Sequence, residues 1–136
     1  YIINKFKKNK KIYLLQCTSS YPTKLDDCNI AVVRHYRDLS KKNKKIIPGY
    51  SSHDQGTLPS ILAVSAGAMM IEKHVKLYSE PWAHFDNVAM DLANVEFKKF
   101  INEIRKVERI LGSEDKRIMK SEHHKYTIAK WNKWKL

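Results

Sequence analysis

The chain has 136 residues, of which 43% are hydrophobic and 29% charged, and it carries a net charge of +12. That length suits one domain with a modest core, and the balance of apolar to charged residues is that of a globular rather than a disordered chain. No apolar run approaches the ~20 residues that span a bilayer, and the opening mixes Lys and Asn with Ile2, Ile3 and Phe6, so neither a membrane span nor a secretory leader is read and the cytoplasm is the expected compartment.

The chain begins on Tyr1 rather than Met, with Ile2, Ile3 and Phe6 on one side of what reads as a helix already under way. It is expected to be a piece of something longer. Ile12-Tyr13-Leu14-Leu15-Gln16 is a short buried strand, followed by Cys17-Thr18-Ser19-Ser20-Tyr21-Pro22, a loop whose hydroxyls and amides can face a ligand. Asp26 or Asp27 is expected to cap a helix over about residues 29–41, with Ile30, Val33, Tyr36 and Leu39 as its apolar stripe. Lysines at its end suit the helix dipole.

A second strand follows over residues 45–49, where Pro48 would be awkward in a long central strand and is acceptable at a strand's end. Pro59 suits the first turn of a helix rich in small side chains, Gly67 ends that helix, and residues 68–73 form the third strand. Residues 75–92 read as a long loop with Trp82, His84, Phe85 and Asp86, of a length that is usually functional. Asn94 caps the strongest helical pattern, 95–111, with Phe97, Phe100, Ile101, Ile104, Val107 and Leu111 on one face and Gly112 closing it. The division expected is a domain over 1–112 and a basic tail or linker over 113–136, with Trp131 and Trp134 in the tail.

The basic charge raises nucleic acid as a partner. The lysines, however, are spread over helix ends, loops and the tail, and they greatly outnumber the arginines that groove and phosphate readers favour, so they read as solvated surface. Cys17 and Cys28 fit no zinc spacing and read as buried or inert thiols.

Two histidines carry the chemistry. His53 ends Gly49-Tyr50-Ser51-Ser52-His53, His74 ends Ile71-Glu72-Lys73-His74, and a helix of small residues joins them. A strand, helix, strand unit makes parallel neighbours through a right-handed crossover, so both histidines emerge at one sheet edge, the carboxyl edge where α/β folds gather ligands. Two neutral imidazoles can share a metal ion and leave coordination positions free for water and substrate, which suits Lewis-acid catalysis better than a structural site. Strand alternation sends Lys73 the other way from Glu72 and His74, to support the sheet. Glu72 is a candidate to orient a ligand or move a proton. His84, His123 and His124 sit in a loop and a polar tail, which are poor places for a defined metal site.

Taken together, Leu14-Leu15-Gln16-Cys17-Thr18-Ser19-Ser20-Tyr21-Pro22, Gly49-Tyr50-Ser51-Ser52-His53 and Ile71-Glu72-Lys73-His74 resemble the sialic acid synthase (N-acetylneuraminate synthase) family in order and spacing. The resemblance implies an α/β fold, the last three strands and helices of a (β/α)8 TIM barrel. It also implies condensation of phosphoenolpyruvate with an N-acylmannosamine, a divalent metal (Mn2+ or Mg2+) on His53 and His74, and a homodimer for the complete enzyme. Tyr21 and Asp86 match positions that contact the sugar, and Ser19 and Ser51 match positions around phosphoenolpyruvate. Where the family usually has Asp before the first histidine this chain has Ser52, which is expected to remove a carboxylate that tunes the metal shell. The loop with Trp82, His84 and Asp86 departs from the family's Gly-Pro-Asp-His. The chain by itself is expected to be inactive, since three strands cannot close an eight-stranded barrel. The alternatives are a non-catalytic metal-binding or assembly module and, behind it, a basic nucleic-acid-binding domain.

Overall fold

The structure, a computed structural model, describes residues 2–6, 8, 10–78, 83–119 and 121–122. Trp82, His123, His124, Trp131 and Trp134 lie outside the described residues. After a short helix α1 (Ile2–Lys5), strands β1 (Ile12–Cys17), β2 (Ile46–Ser52) and β3 (Met70–Lys73) form a sheet in that order, with both pairings parallel. The crossovers are helices α2 (Ala31–Lys42) and α3 (Leu58–Ala66). No described helix is long and apolar enough to cross a membrane.

Alternation divides the sheet into two faces. Pro48, Tyr50 and Ser52 of β2 point to the helices, where Tyr50 packs with Val33 of α2 and with Ala63 and Ala66 of α3 in the core, and Ile30 and Ile71 flank them. The residues between them, Gly49 and Ser51 in register with Leu15 and Cys17 on one side and with Met70 and Glu72 on the other, share the opposite face, which no described helix covers. Gly49 is required there by close approach. A Cβ at this position would stand 2.3 Å from the Leu15 side chain and 2.7 Å from the Met70 carbonyl oxygen. Gly67 ends α3 at φ +108, a conformation that suits glycine alone among common residues, and its N–H returns to the helix.

Three expectations need correcting. Asp26 and Asp27 do not cap α2. They belong to a separate 3-10 turn, Leu25–Asp27, and α2 starts from Ile30 with no side-chain cap. The second strand runs to Ser52 and is central, with Pro48 at its third position. Proline is tolerated there because β3 begins only opposite Gly49, so no strand waits to accept an N–H from residue 48, while the Pro48 carbonyl takes the Met69 N–H at 2.8 Å. Residues 75–92 are also more than a loop: β4 (Val75–Lys76) and β5 (Met90–Asp91) pair in parallel, and a 3-10 turn, Asp86–Val88, lies between them.

Helix α4 (Val95–Leu111) packs on α3. Its start follows the sequence, the Asn94 side chain accepting from the Glu96 N–H at 3.1 Å, and Phe100 is its buried anchor. Ile101 and Leu111 of the expected apolar face remain exposed. Beyond α4, Glu114 makes an ion pair with Arg37 of α2.

Candidate functional site

The first residue past β2 is His53 and the first past β3 is His74, and the Ser52 to Lys73 register sets them side by side with ring centroids 5.2 Å apart. The turn after β1 closes over them. Tyr21 stacks on His53 at 4.3 Å and meets His74 edge-on at 5.7 Å, while Phe85 stacks on the other ring at 5.2 Å from His74.

His53 is buried and held in one tautomer. A carbonyl can only accept, so Nδ1 donates to the Thr18 oxygen at 3.0 Å and leaves the lone pair on Nε2, where the Tyr21 hydroxyl donates at 3.3 Å. The turn is tied back by the Thr23 N–H to the His53 carbonyl, 2.8 Å, and by the Thr23 hydroxyl to the Thr18 and Ser20 carbonyls. His74 is pushed below the ordinary imidazole value by burial first and by His53 next, with Glu72 opposing. A neutral imidazole is the state that can donate a lone pair. The donor chemistry of the pair therefore fits a cation held by His53 Nε2 and the His74 ring. Among the described residues no third His, Cys, Asp or Glu gathers with them at metal-binding distance, so any further positions would be left to water or substrate.

The other expected site residues fall into two groups. Tyr21 and Glu72 share the neighbourhood of the histidines, Glu72 on the uncovered face with its carboxylate accepting from the Ser51 hydroxyl at 2.6 Å. Ser51 is thereby committed to Glu72, and Ser19 is exposed in the turn. Asp86 sits apart from Tyr21's contacts, paired with the Lys76 ammonium at 2.8 Å. Of the demoted histidines, His84 places its ring edge-on to Tyr21 at 4.9 Å. Cys17 is exposed rather than buried, with its sulfur 3.7 Å from His53 Nδ1, and Cys28 is buried.

The expected effect of Ser52 on a metal shell is corrected. Its side chain points to the helix-covered face, fully buried, and donates to Asp54 Oδ1 at 2.9 Å. Lys73 points the same way, opposite to Glu72, as alternation requires. Asp54 carries no signal in the sequence beyond its place two residues past Ser52, yet it joins Tyr50, Ser52 and Lys73 in one buried group. A cavity of about 490 Å³ bordered by Lys73, Lys76, Asn94 and Phe100 opens on this side of the sheet, away from the histidines. Its rim carries as many carboxylates as lysines and selects no charge class.

Comparison with known proteins gives the chain a family. The model of the NeuB family matches residues 2–116. N-acetylneuraminate-9-phosphate synthase of Mus musculus is 36% identical over 115 residues, covering 84% of this chain and 30% of that protein. Pseudaminic acid synthase of Campylobacter jejuni is 34% identical over 111 residues, 81% of this chain and 30% of that protein. The crystal structure of N-acetylneuraminic acid (sialic acid) synthetase from Leptospira borgpetersenii superposes on 88% of this chain and 40% of that one, at 30% identity and a TM-score of 0.73. The chain thus spans about a third of the length of the curated relatives it matches. The parallel α/β sheet is that of the Leptospira synthetase, and the match over residues 2–116 makes this chain a member of the NeuB family.

Proposed function

We propose that this chain forms the two-histidine end of a sialic-acid-synthase-type enzyme, built as the last three strands and helices of a (β/α)8 barrel. The enzyme would condense phosphoenolpyruvate with an N-acylated amino sugar and release phosphate. The observation that carries this reading is the pair His53 and His74, on adjacent parallel strands, 5.2 Å apart and roofed by Tyr21. The pair would hold Mn2+ or Mg2+, which when bound supplies a Lewis acid for the sugar aldehyde.

The chain's own residues do the rest. The Thr18 carbonyl fixes the His53 tautomer, and Tyr21 and Phe85 shield the imidazoles from water on either side. Tyr21, whose hydroxyl donates to His53 Nε2, would offer that hydroxyl to a sugar oxygen when a metal takes the lone pair. Glu72, oriented by Ser51, takes or returns a proton beside the reacting carbons. Ser19 and the amides of its turn are donors for phosphate or carboxylate oxygens. Asp86 reaches a sugar hydroxyl only while sharing its charge with Lys76. The complete enzyme would be a homodimer in the cytoplasm.

The test is a chimera in which residues 10–112 replace the matching segment of a full-length synthase from the family. It is expected to form sialic acid from phosphoenolpyruvate and N-acetylmannosamine with Mn2+, and to lose about 10²-fold or more when Glu72→Gln removes the proton carrier. A folded, Mn2+-loaded chimera with no turnover would overturn the reading. The 136-residue chain alone is expected to release no phosphate, because the sheet formed by its described residues has three strands, too few to close a barrel.

A further inference from the structure

The ladder between β2 and β3 ends at its fourth rung, Ser52 with Lys73. Past that rung the backbone sends the two histidines to different neighbours: the His53 carbonyl accepts from Thr23, and the His74 carbonyl accepts from Met90 of β5. The register brings the two residues side by side, and past its last rung their carbonyls turn away from each other. A side chain adds a second tie from behind. The Lys73 ammonium donates to the Ser52 hydroxyl at 2.8 Å and to the Asp54 carbonyl at 3.0 Å, the two residues that flank His53, while Lys73 itself precedes His74.

The circuit is closed and buried. Ser52 in turn donates a hydrogen bond to Asp54 Oδ1 at 2.9 Å, Tyr50 donates to the same oxygen at 2.7 Å, and Asp54 Oδ2, which has no hydrogen-bond donor among the described residues, faces the ammonium at 4.0 Å. The Lys73 side chain is 5% exposed and that of Asp54 0%, so solvent does not weaken the attraction as it would at the surface. Lysine borders the cavity yet turns its charge inward.

We propose that Lys73 is the positioning residue of the two-histidine site: by tying both neighbours of His53 to the strand end that carries His74, it sets the spacing of the two imidazoles. This rests on the reading of His53 and His74 as a metal pair. It assigns the departure at residue 52 to the rear clamp rather than to the metal's own surroundings.

The experiment uses the 136-residue chain, Mn2+ alone as probe, and the cross-ring nuclear Overhauser effect between His53 and His74 without metal. Because Lys73→Met strands a buried carboxylate, Lys73→Met/Asp54→Asn, which removes both charges, is made beside it. In the double variant, still folded by far-UV circular dichroism, the cross-ring signal is expected to vanish and Mn2+ affinity to fall about 10–100-fold. A folded double variant that keeps the cross-ring signal, or loses it and binds Mn2+ as the parent does, overturns the proposal. The underlying metal reading is judged separately. It fails if the parent binds Mn2+ no better than His53→Ala/His74→Ala, whatever Lys73 does to the ring spacing.

Discussion

On its helix-covered face the sheet buries Tyr50 to 2% exposure, Ser52 and Asp54 completely and the Lys73 side chain to 5%; on its other face Tyr13 is 51% exposed and Met70 37%. The same three strands supply both faces, by alternate residues. The contrast separates two jobs. Folding free energy is concentrated where α2 and α3 close over Tyr50, and the candidate chemistry, His53, His74, Glu72 and Tyr21, stands at or beside the uncovered face. A side chain's register, odd or even, thus predicts whether its loss is felt as instability or as a change in the site.

The largest expected effect is on the covered face. Tyr50→Ala removes the central core ring and a hydroxyl bonded to buried Asp54, and should cost about 3–5 kcal/mol in chemical denaturation, enough to unfold a small domain. A loss below about 1 kcal/mol would mean that the core lies elsewhere.

An intermediate effect appears in alkali. Burial, then the bond to Asp54, raises the Tyr50 phenol far above its ordinary value of 10.0, and burial raises the Cys28 thiol as well. For an acid raised on folding, the stabilisation is complete below the unfolded-chain pKa and drains away as pH climbs past it. Lys73, lowered by burial against the pull of Asp54, acts with the opposite sign, but only up to its ordinary value of 10.5. Stability should therefore decline above pH 10, by about 1.4 kcal/mol per pH unit relative to Tyr50→Phe, which lacks the ionisable group. Parallel pH profiles for the two proteins would show that Tyr50 is not sealed.

The smallest effect belongs to the uncovered face. Tyr13→Ser should shift stability by no more than about 0.5 kcal/mol, since half of that ring already meets solvent. A loss of several kcal/mol, read by the same denaturation curve, would show that this face is covered in solution and would dissolve the contrast.

Much of this was legible along the chain. Strand, helix and strand with a histidine after each strand could be read from local apolar runs, Pro59 and Gly67, and right-handed crossover geometry then forces both histidines to one edge. Alternation likewise places Lys73 opposite Glu72. The Asn94 cap and α4 followed from a side chain two residues from its partner. The tolerance of Pro48 depends on where the neighbouring strand begins, and the 3-10 turn that claims Asp26 and Asp27 competes locally with the helix start, so neither is legible locally. His84 gives no local sign of its place against Tyr21, which arises from residues more than sixty positions apart.

By itself the sequence determined the order of elements, the shared edge of His53 and His74, and the motifs of the NeuB family, because these depend on short-range periodicity and on the chirality of one crossover. Only the tertiary structure decided that Ser52 faces the rear, that Asp54 completes a buried circuit with Lys73 and Tyr50, and that Tyr21 lies on the His53 lone pair. Those contacts follow from the register of strands about twenty residues apart and from which groups are left without water once the helices close, and neither is written in any local stretch of chain.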